Sequence, residues 1–308
     1  MPLITAHDDV KDKRTGREVP TGYAWRTEFL QPPTGNKADP HAFLAERTPQ
    51  GVIKPHYHDV DQFQVIVSGG GTLGKHPLAI HAVHFARAHT PYGPIKAGGE
   101  GVGFLTLRPR RAGGIWFVPE SREQLKQMPD RKPWQLTEQP KFEASGETAV
   151  HAFSNIKDEH GLAAFSLSLK PHAKTSAPDP SRSSGQYLII TNGSLLYEGK
   201  EHKAITIIFV KPDERAFQLA AGSDGLEALA LNFPKAVADA KPVEARDTQK
   251  TKELRVWQCL LCAFSYDESK GLPDEGILPG TRWEDVPEDW ICPDCSTSKS
   301  DFEMVVVA

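Results

Sequence analysis

All four cysteines of this 308-residue chain fall in its last 50 residues, as two Cys-x-x-Cys pairs, Cys259/Cys262 and Cys292/Cys295. Each two-residue spacer lets two sulfurs of one tight loop reach the same tetrahedral ion, and the second loop closes the shell. Nothing else in the chain competes for the thiols, so cysteine arithmetic favours one tetrathiolate metal site over two disulfides.

The flanking residues narrow the choice. Residues 253–308 carry Trp257-x-Cys-x-x-Cys-x-Phe264-x-Tyr266-Asp267, then Gly276-Ile-Leu-Pro-Gly-Thr281 and Trp283-Glu-Asp-Val-Pro-Glu-Asp-Trp290. Cys292-Pro-Asp-Cys295 and Lys299 with Asp301-Phe302-Glu303 follow. Over its whole length this segment resembles a rubredoxin. The resemblance implies one iron held by Cys259, Cys262, Cys292 and Cys295 and used for one-electron transfer. Zinc uses the same four ligands, and spacing alone leaves it open. Trp257, Phe264, Tyr266, Trp283, Trp290 and Phe302 are expected to form the small aromatic core that so short a module needs beside its metal. Two positions depart from the family, which usually has glycine after each second cysteine. Ala263 and Ser296 stand there, and a β-carbon costs about 1 kcal/mol at each if the turn demands positive φ.

The chain as a whole has the composition of an ordinary globular protein, with 39% hydrophobic and 25% charged residues. A formal net charge of −4 without a Lys/Arg-rich stripe argues against a nucleic-acid partner. The charged start, MPLITAHDDVKDKRTGRE, has no apolar run and reads as no signal peptide. No segment approaches the ~20 apolar residues of a membrane span. With unpaired thiols, these features lead to the expectation of a cytoplasmic protein. Short β-branched runs between turns, such as residues 63–69, 103–109, 187–193 and 204–210, give the pattern of a β-sandwich or barrel. The Ala/Lys/Asp-rich stretch 235–252 reads as a solvated linker.

Within the β region the chain repeats itself. The run from Gln62 to Gly69 matches that from Gln186 to Gly193 at an offset of 124, and the same offset superposes Val83-His84-Phe85 on Ile207-Ile208-Phe209. Two tandem β domains of one type follow.

The first copy is preceded by Gly51-Val-Ile-Lys-Pro-His56-Tyr-His58-Asp-Val-Asp-Gln62. Two residues apart on a strand, His56 and His58 project from one face. Glycine, a spacer, His-x-His and the six-residue gap from Gln62 to Gly69 resemble the first motif of the cupins, with Gln62 in the place of a glutamate. The family's second motif supplies one more histidine, for which His89 in VHFARAHTPYGP is the best candidate, with His76, His81 and His84 as alternatives. The resemblance implies a barrel with Fe(II) or another divalent metal on His56, His58 and His89. Gln62 would be a fourth ligand or would hold a bound water. Tyr92 is a candidate hydrogen-bonding residue at the barrel mouth. In the second copy the His-x-His positions are Pro180 and Arg182, and the second-motif position is Phe217 or Asp213, so that half is expected to be metal-free. His172 and Arg182 read as surface polar groups.

The expected fold class is mainly β: two tandem cupin (double-stranded β-helix) barrels, residues 1–146 and 147–234, a linker 235–252 and a rubredoxin-like domain 253–308. The combination implies a non-haem iron oxidoreductase of oxygenase type. A small organic substrate and O2 would meet in the first barrel, and electrons would come from a reductase by way of the rubredoxin. A non-catalytic small-molecule or redox sensor, or a binding protein with a structural zinc in the tetrathiolate site, and a non-redox cupin isomerase or lyase with an electron-carrier domain, are the competing readings. No basic or aromatic cluster in the sequence announces the substrate. Cupin barrels commonly pair through their sheets, which leaves a homodimer open.

Overall fold

The computed structural model describes residues 1–33, 38–128, 133–143, 146–235, 254–259, 261–262 and 264–305. The expected linker, Lys235 apart, lies outside them.

The apolar alternation builds two large antiparallel sheets. In the first, the strands run in the order Gln135–Glu138, Val83–Ala86, Gln62–Leu73, Ile95–Arg108, His41–Arg47, Gly22–Leu30 and Thr15–Val19. In the second, the order is Leu3–Ala6, Thr206–Val210, Gln186–Tyr197, Gln218–Asn232, Ala163–Leu169 and Ala149–Lys157. The repeat is structural. Gln62 pairs with Ala86 and Gln186 with Val210, so equivalent strands keep the same register at the same offset.

Period-two alternation decides where each side chain goes. Phe63, Val65, Leu105 and Leu107 meet Tyr187, Ile189, Leu229 and Leu231 in one buried layer that glues the two sheets together. The intervening residues face inward. In the second copy these are Leu188, Ile190, Ile208, Ala228 and Ala230, which fill the barrel with hydrocarbon. In the first they include Gln62, Gln64, His84, Thr106 and Arg108, all buried. One barrel is therefore packed shut, and its sibling keeps a polar interior.

Both copies bend their long strands at a glycine pair. Gly69 (φ +60°) crosses Gly101, and Gly193 (φ +66°) crosses Gly225; a β-carbon at either first glycine would lie 2.2 Å from the opposite carbonyl oxygen. Gly69→Ala and Gly193→Ala are each expected to cost about 2–4 kcal/mol, from left-handed strain plus the clash. Urea unfolding reads this directly, and a loss under about 0.5 kcal/mol would mean that the crossing relaxes.

One boundary is corrected. Leu3–Ala6 does not belong with residues 15–138 but pairs with Thr206–Val210, Ile4 opposite Ile208. Its apolar, β-branched residues cover what would otherwise be the bare edge of the second sheet.

The C-terminal domain is a three-stranded sheet, Ser265–Asp267, Val256–Cys259 and Phe302–Val305, wrapped by turns. It is not separate in packing. Tyr57, Val118 and Leu125 of the first barrel share one buried cluster with the four cysteines, Leu261, Trp283 and Phe302.

Candidate functional site

Two centres meet at that cluster. In the first, the strand ending at Cys259 and the loop at Cys292 bring four buried thiols together, their ligand atoms all within 4.8 Å of one another. The Sγ atoms of Cys259 and Cys295 are 3.7 Å apart, and those of Cys262 and Cys292 are 3.5 Å apart. The Cys259 N–H donates to Phe264 O and the Cys292 N–H to Thr297 O, which closes the two knuckles alike. Burial opposes ionisation at Cys259, but the sulfurs clustered around it, Cys295 at 3.7 Å among them, outweigh that and pull its pKa down. Four soft sulfurs in a closed shell fit iron, and Cys259, Cys262, Cys292 and Cys295 would hold it. Ser296 takes φ +58°, the left-handed geometry that glycine would enter without strain; Ala263 lies outside the described residues.

The six expected aromatics pack as one group, with Trp257 stacked on Trp283 at 5.3 Å and Phe302 4.8 Å from Trp283. Glu268 escaped the sequence reading, since nothing in its spacing marks it. It is wholly buried and accepts from the N–H groups of Arg255, Trp257 Nε1, Trp283 and Arg282, at 2.9–3.0 Å. Burial pushes its pKa up, and these four donors outweigh that and hold it low.

The domain is seated on the barrel at two points. At the metal end, a β-carbon on Gly74 would lie 2.8 Å from Pro293 O, Lys75 Nζ stands 4.6 Å over the Phe264 ring, and His76 Nε2 lies 3.4 Å from Asp294. At the other, the buried Asp301 carboxylate takes Arg122 (3.3 Å) and Lys126 from the helix Arg122–Lys126.

The second centre is a cavity of about 550 Å³ in the first barrel. Its wall is crossed by the short strand His56–Tyr57, which pairs with Trp116–Phe117. As strand alternation requires, His56 and His58 both line the cavity. Tyr57 between them turns to the opposite side, stacks on Trp116 at 5.5 Å and joins the cysteine cluster. Each histidine is oriented through Nδ1, by Lys54 O (2.7 Å) and Gly114 O (2.6 Å). With the proton on Nδ1, each Nε2 is left as a lone-pair donor. Burial first, and Arg108 beside it, keep both rings neutral: His56 is pulled down to about 4 and His58 well below its usual value.

The other expected ligands are not brought to this pair. His89 adopts φ +59°, which carries its ring to the outer side, 6.2 Å from Tyr57, so it is not the third ligand. Tyr92 occupies the inner position instead, wholly buried, its ring 4.6 Å from His56 and 5.2 Å from His84. The Gln62 amide NH2 donates to the Tyr92 hydroxyl, and Gln62 Oε1 accepts two N–H groups of Arg108, at 3.0 and 3.1 Å. Gln62 is thus committed to a guanidinium rather than offered to a cation. His84 is buried and neutral, pulled down to about 3 mainly by burial, with Nδ1 on Thr137 Oγ1. His81 packs edge-on against Phe142. Among the described residues the four cysteines are the one group of three or more His, Cys, Asp or Glu placed to hold a metal. Two histidines fit a metal, but a neutral amide tied to a buried guanidinium does not complete the set.

In the second barrel Pro180 is buried in the first histidine's place, Arg182 is exposed in the second's, and His172 is exposed. Gln186 there donates to Asn232 Oδ1 at 2.9 Å, the counterpart of the Gln62–Arg108 contact.

The comparisons agree with this division. The family model described as rubredoxin matches residues 256–302. Rubredoxin-2 of Pseudomonas aeruginosa is 62% identical over 55 residues, and rubredoxin-1 of Alcanivorax borkumensis 61% over 54; each is covered in full, by 18% of this chain. Among solved structures, a deletion mutant of Bacillus subtilis oxalate decarboxylase aligns with a TM-score of 0.50 at 13% identity, over 75% of this chain and 77% of that one. A candidate dioxygenase of Nostoc punctiforme gives the same score and identity over 81% and 88%. At that identity the likeness speaks to fold alone, and it is the bicupin fold. By its C-terminal 55 or so residues the chain belongs to the rubredoxin family, carried here on two tandem cupin barrels.

Proposed function

We propose that this chain is an oxidoreductase in which a small organic substrate, bound in the first barrel, exchanges electrons one at a time with the tetrathiolate centre docked on the barrel's outer wall. One observation carries the reading: the buried cluster around the four cysteines runs without a break to Tyr57, the residue between the two cavity histidines. When bound, the iron supplies a one-electron couple. The protein's part is to hold it dry and at fixed distance, through Gly74, Lys75, His76 and the Asp301 clamp. A cytoplasmic reductase is the partner that would load it. The finer reading, an oxygenase using O2, calls for iron on His56 and His58, and the Gln62–Arg108 contact counts against it. A count of two irons per chain would reinstate that reading. The same contact favours a second reading, a binding protein whose tetrathiolate centre reports redox state.

Reoxidation of the reduced centre separates the two. The full chain is reduced anaerobically, and recovery of its visible absorption is followed with a panel of small organic compounds, with and without O2. Compounds that enter the cavity are expected to speed recovery. That acceleration should vanish in His58→Leu and fall at least tenfold in Gly74→Arg, which pushes the domains apart at the metal end. Equal rates in all three proteins with every compound would overturn electron exchange with the barrel.

A further inference from the structure

The cavity wall carries five arginines, among them Arg26, Arg47, Arg108 and Arg111, and no aspartate or glutamate among the described residues that line it. The sequence gives no sign of this, because the arginines are spread over almost a hundred residues and meet only through sheet register. Arg108 is the central one. It sits at the inner end of the strand Ile95–Arg108, 6% exposed, and its guanidinium donates both of its hydrogen bonds to the neutral amide of Gln62. The carboxylates nearby are engaged elsewhere: Glu28 with Arg26 and His41, Asp59 with Arg110. A buried guanidinium without an anion is costly, and a fold retains one where a ligand supplies the missing charge. Next to it, Phe43 lies between two guanidiniums, with Arg26 Cζ 3.5 Å and Arg108 Cζ 5.4 Å from the ring centroid. Phe104, Ile95 and Ile53 complete an apolar wall.

We propose that the cavity selects a small organic carboxylate, with the acid group at Arg108 and the hydrocarbon part against Phe43, Phe104 and Ile95. The planar fork of arginine matches a carboxylate through paired N–H···O bonds, and aromatic walls fit a carbon skeleton better than a bare inorganic anion. His56 and His58, each held through Nδ1 by a backbone carbonyl, line the same cavity. This inference deepens the redox reading. Its test uses the oxidised protein and binding alone, so failure of either leaves the other standing.

Calorimetric titration of the full chain with benzoate, 1-naphthoate and glutarate, each against its neutral amide, tests it. At least one acid is expected to bind with a submillimolar Kd and its amide at least tenfold more weakly. Arg108→Gln should weaken the acid at least tenfold and leave the amide unchanged, since a hydrogen-bonded charge contributes roughly that much. Should Arg108→Gln fold poorly, Arg111→Gln on the cavity rim should still weaken the acid several-fold, with a matching loss at raised salt. The proposal is overturned if no acid binds at millimolar concentration or if the amides bind as well as the acids. Inorganic phosphate matching the best acid would overturn it too.

Discussion

Cys292→Ala is expected to abolish the visible absorption of the iron-loaded protein and to unfold residues 254–305 while both barrels stay folded. The domain's three short strands and six aromatics form a core too small to stand alone: modules of this size draw about 3–5 kcal/mol from packing. Metal binding to a closed shell supplies far more, roughly 10–16 kcal/mol where it has been measured for structural zinc. Removing one of four sulfurs opens the shell and leaves three buried thiols around a void. The barrels draw on other clusters, which contain none of the cysteines. Hydrogen exchange is the measurement. Amides of Val256–Cys259 and Phe302–Val305 should exchange within seconds, those of Gln62–Leu73 as slowly as before, and Tyr57, Val118 and Leu125 should become exposed. Retained protection in the C-terminal sheet would mean that docking through Asp301, Arg122 and Lys126 suffices without the metal.

The contrast between what was legible and what was not follows from range. The tetrathiolate shell could be read because each half is closed by four consecutive residues, and local spacing fixes local geometry. The tandem repeat could be read because its period-two pattern survives at a constant offset, even where the second copy has traded Gln64, His84 and Thr106 for Leu188, Ile208 and Ala230. The third cavity position failed for a local reason. After the strand Val83–Ala86 the chain enters a turn, the left-handed residue His89 reverses the side on which side chains emerge, and alternation no longer predicts direction. Tyr92, three residues on, reaches the inside. Arg108 was missed because it is linked to Gln62 only through the sheet register that sets Phe63 opposite Leu107. One signal could have found it: in the second copy the same offset places Asn232 beside Gln186, so each polar residue faces a polar partner. Nothing marked Gly74 or Asp301 as a seat of the rubredoxin domain, since a docking surface is written in two distant segments at once.

Acid is expected to unfold the first barrel well before it would unfold a barrel of ordinary composition. His56, His58 and His84 are buried and neutral, with His56 pulled down to about 4 and His84 to about 3, burial being the main cause in each. In the unfolded chain these rings take a proton near pH 6.5. Between about pH 6.5 and pH 4 the unfolded state therefore binds more protons, and stability falls as pH falls. One pKa unit corresponds to 1.36 kcal/mol, so His56 alone removes about 3 kcal/mol by pH 4, and His84 a similar amount. Together these losses approach the whole stability of a typical domain, about 5–15 kcal/mol. Urea unfolding followed by hydrogen exchange in Gln62–Leu73 should show stability dropping by about 3–4 kcal/mol per pH unit between pH 6 and pH 5. In His84→Leu that slope should fall by about 1.4 kcal/mol per pH unit, the contribution of one proton. The second barrel provides the internal comparison, because Ile208 stands where His84 does and Pro180 where His56 does; among the described residues His202, buried beside the strand Gln186–Tyr197 and pulled down by burial, is the one such group left there, so its profile should be shallower. A flat profile in the first barrel would mean that its histidines hold their protons when folded, and that the cavity already contains the negative charge assigned to its substrate.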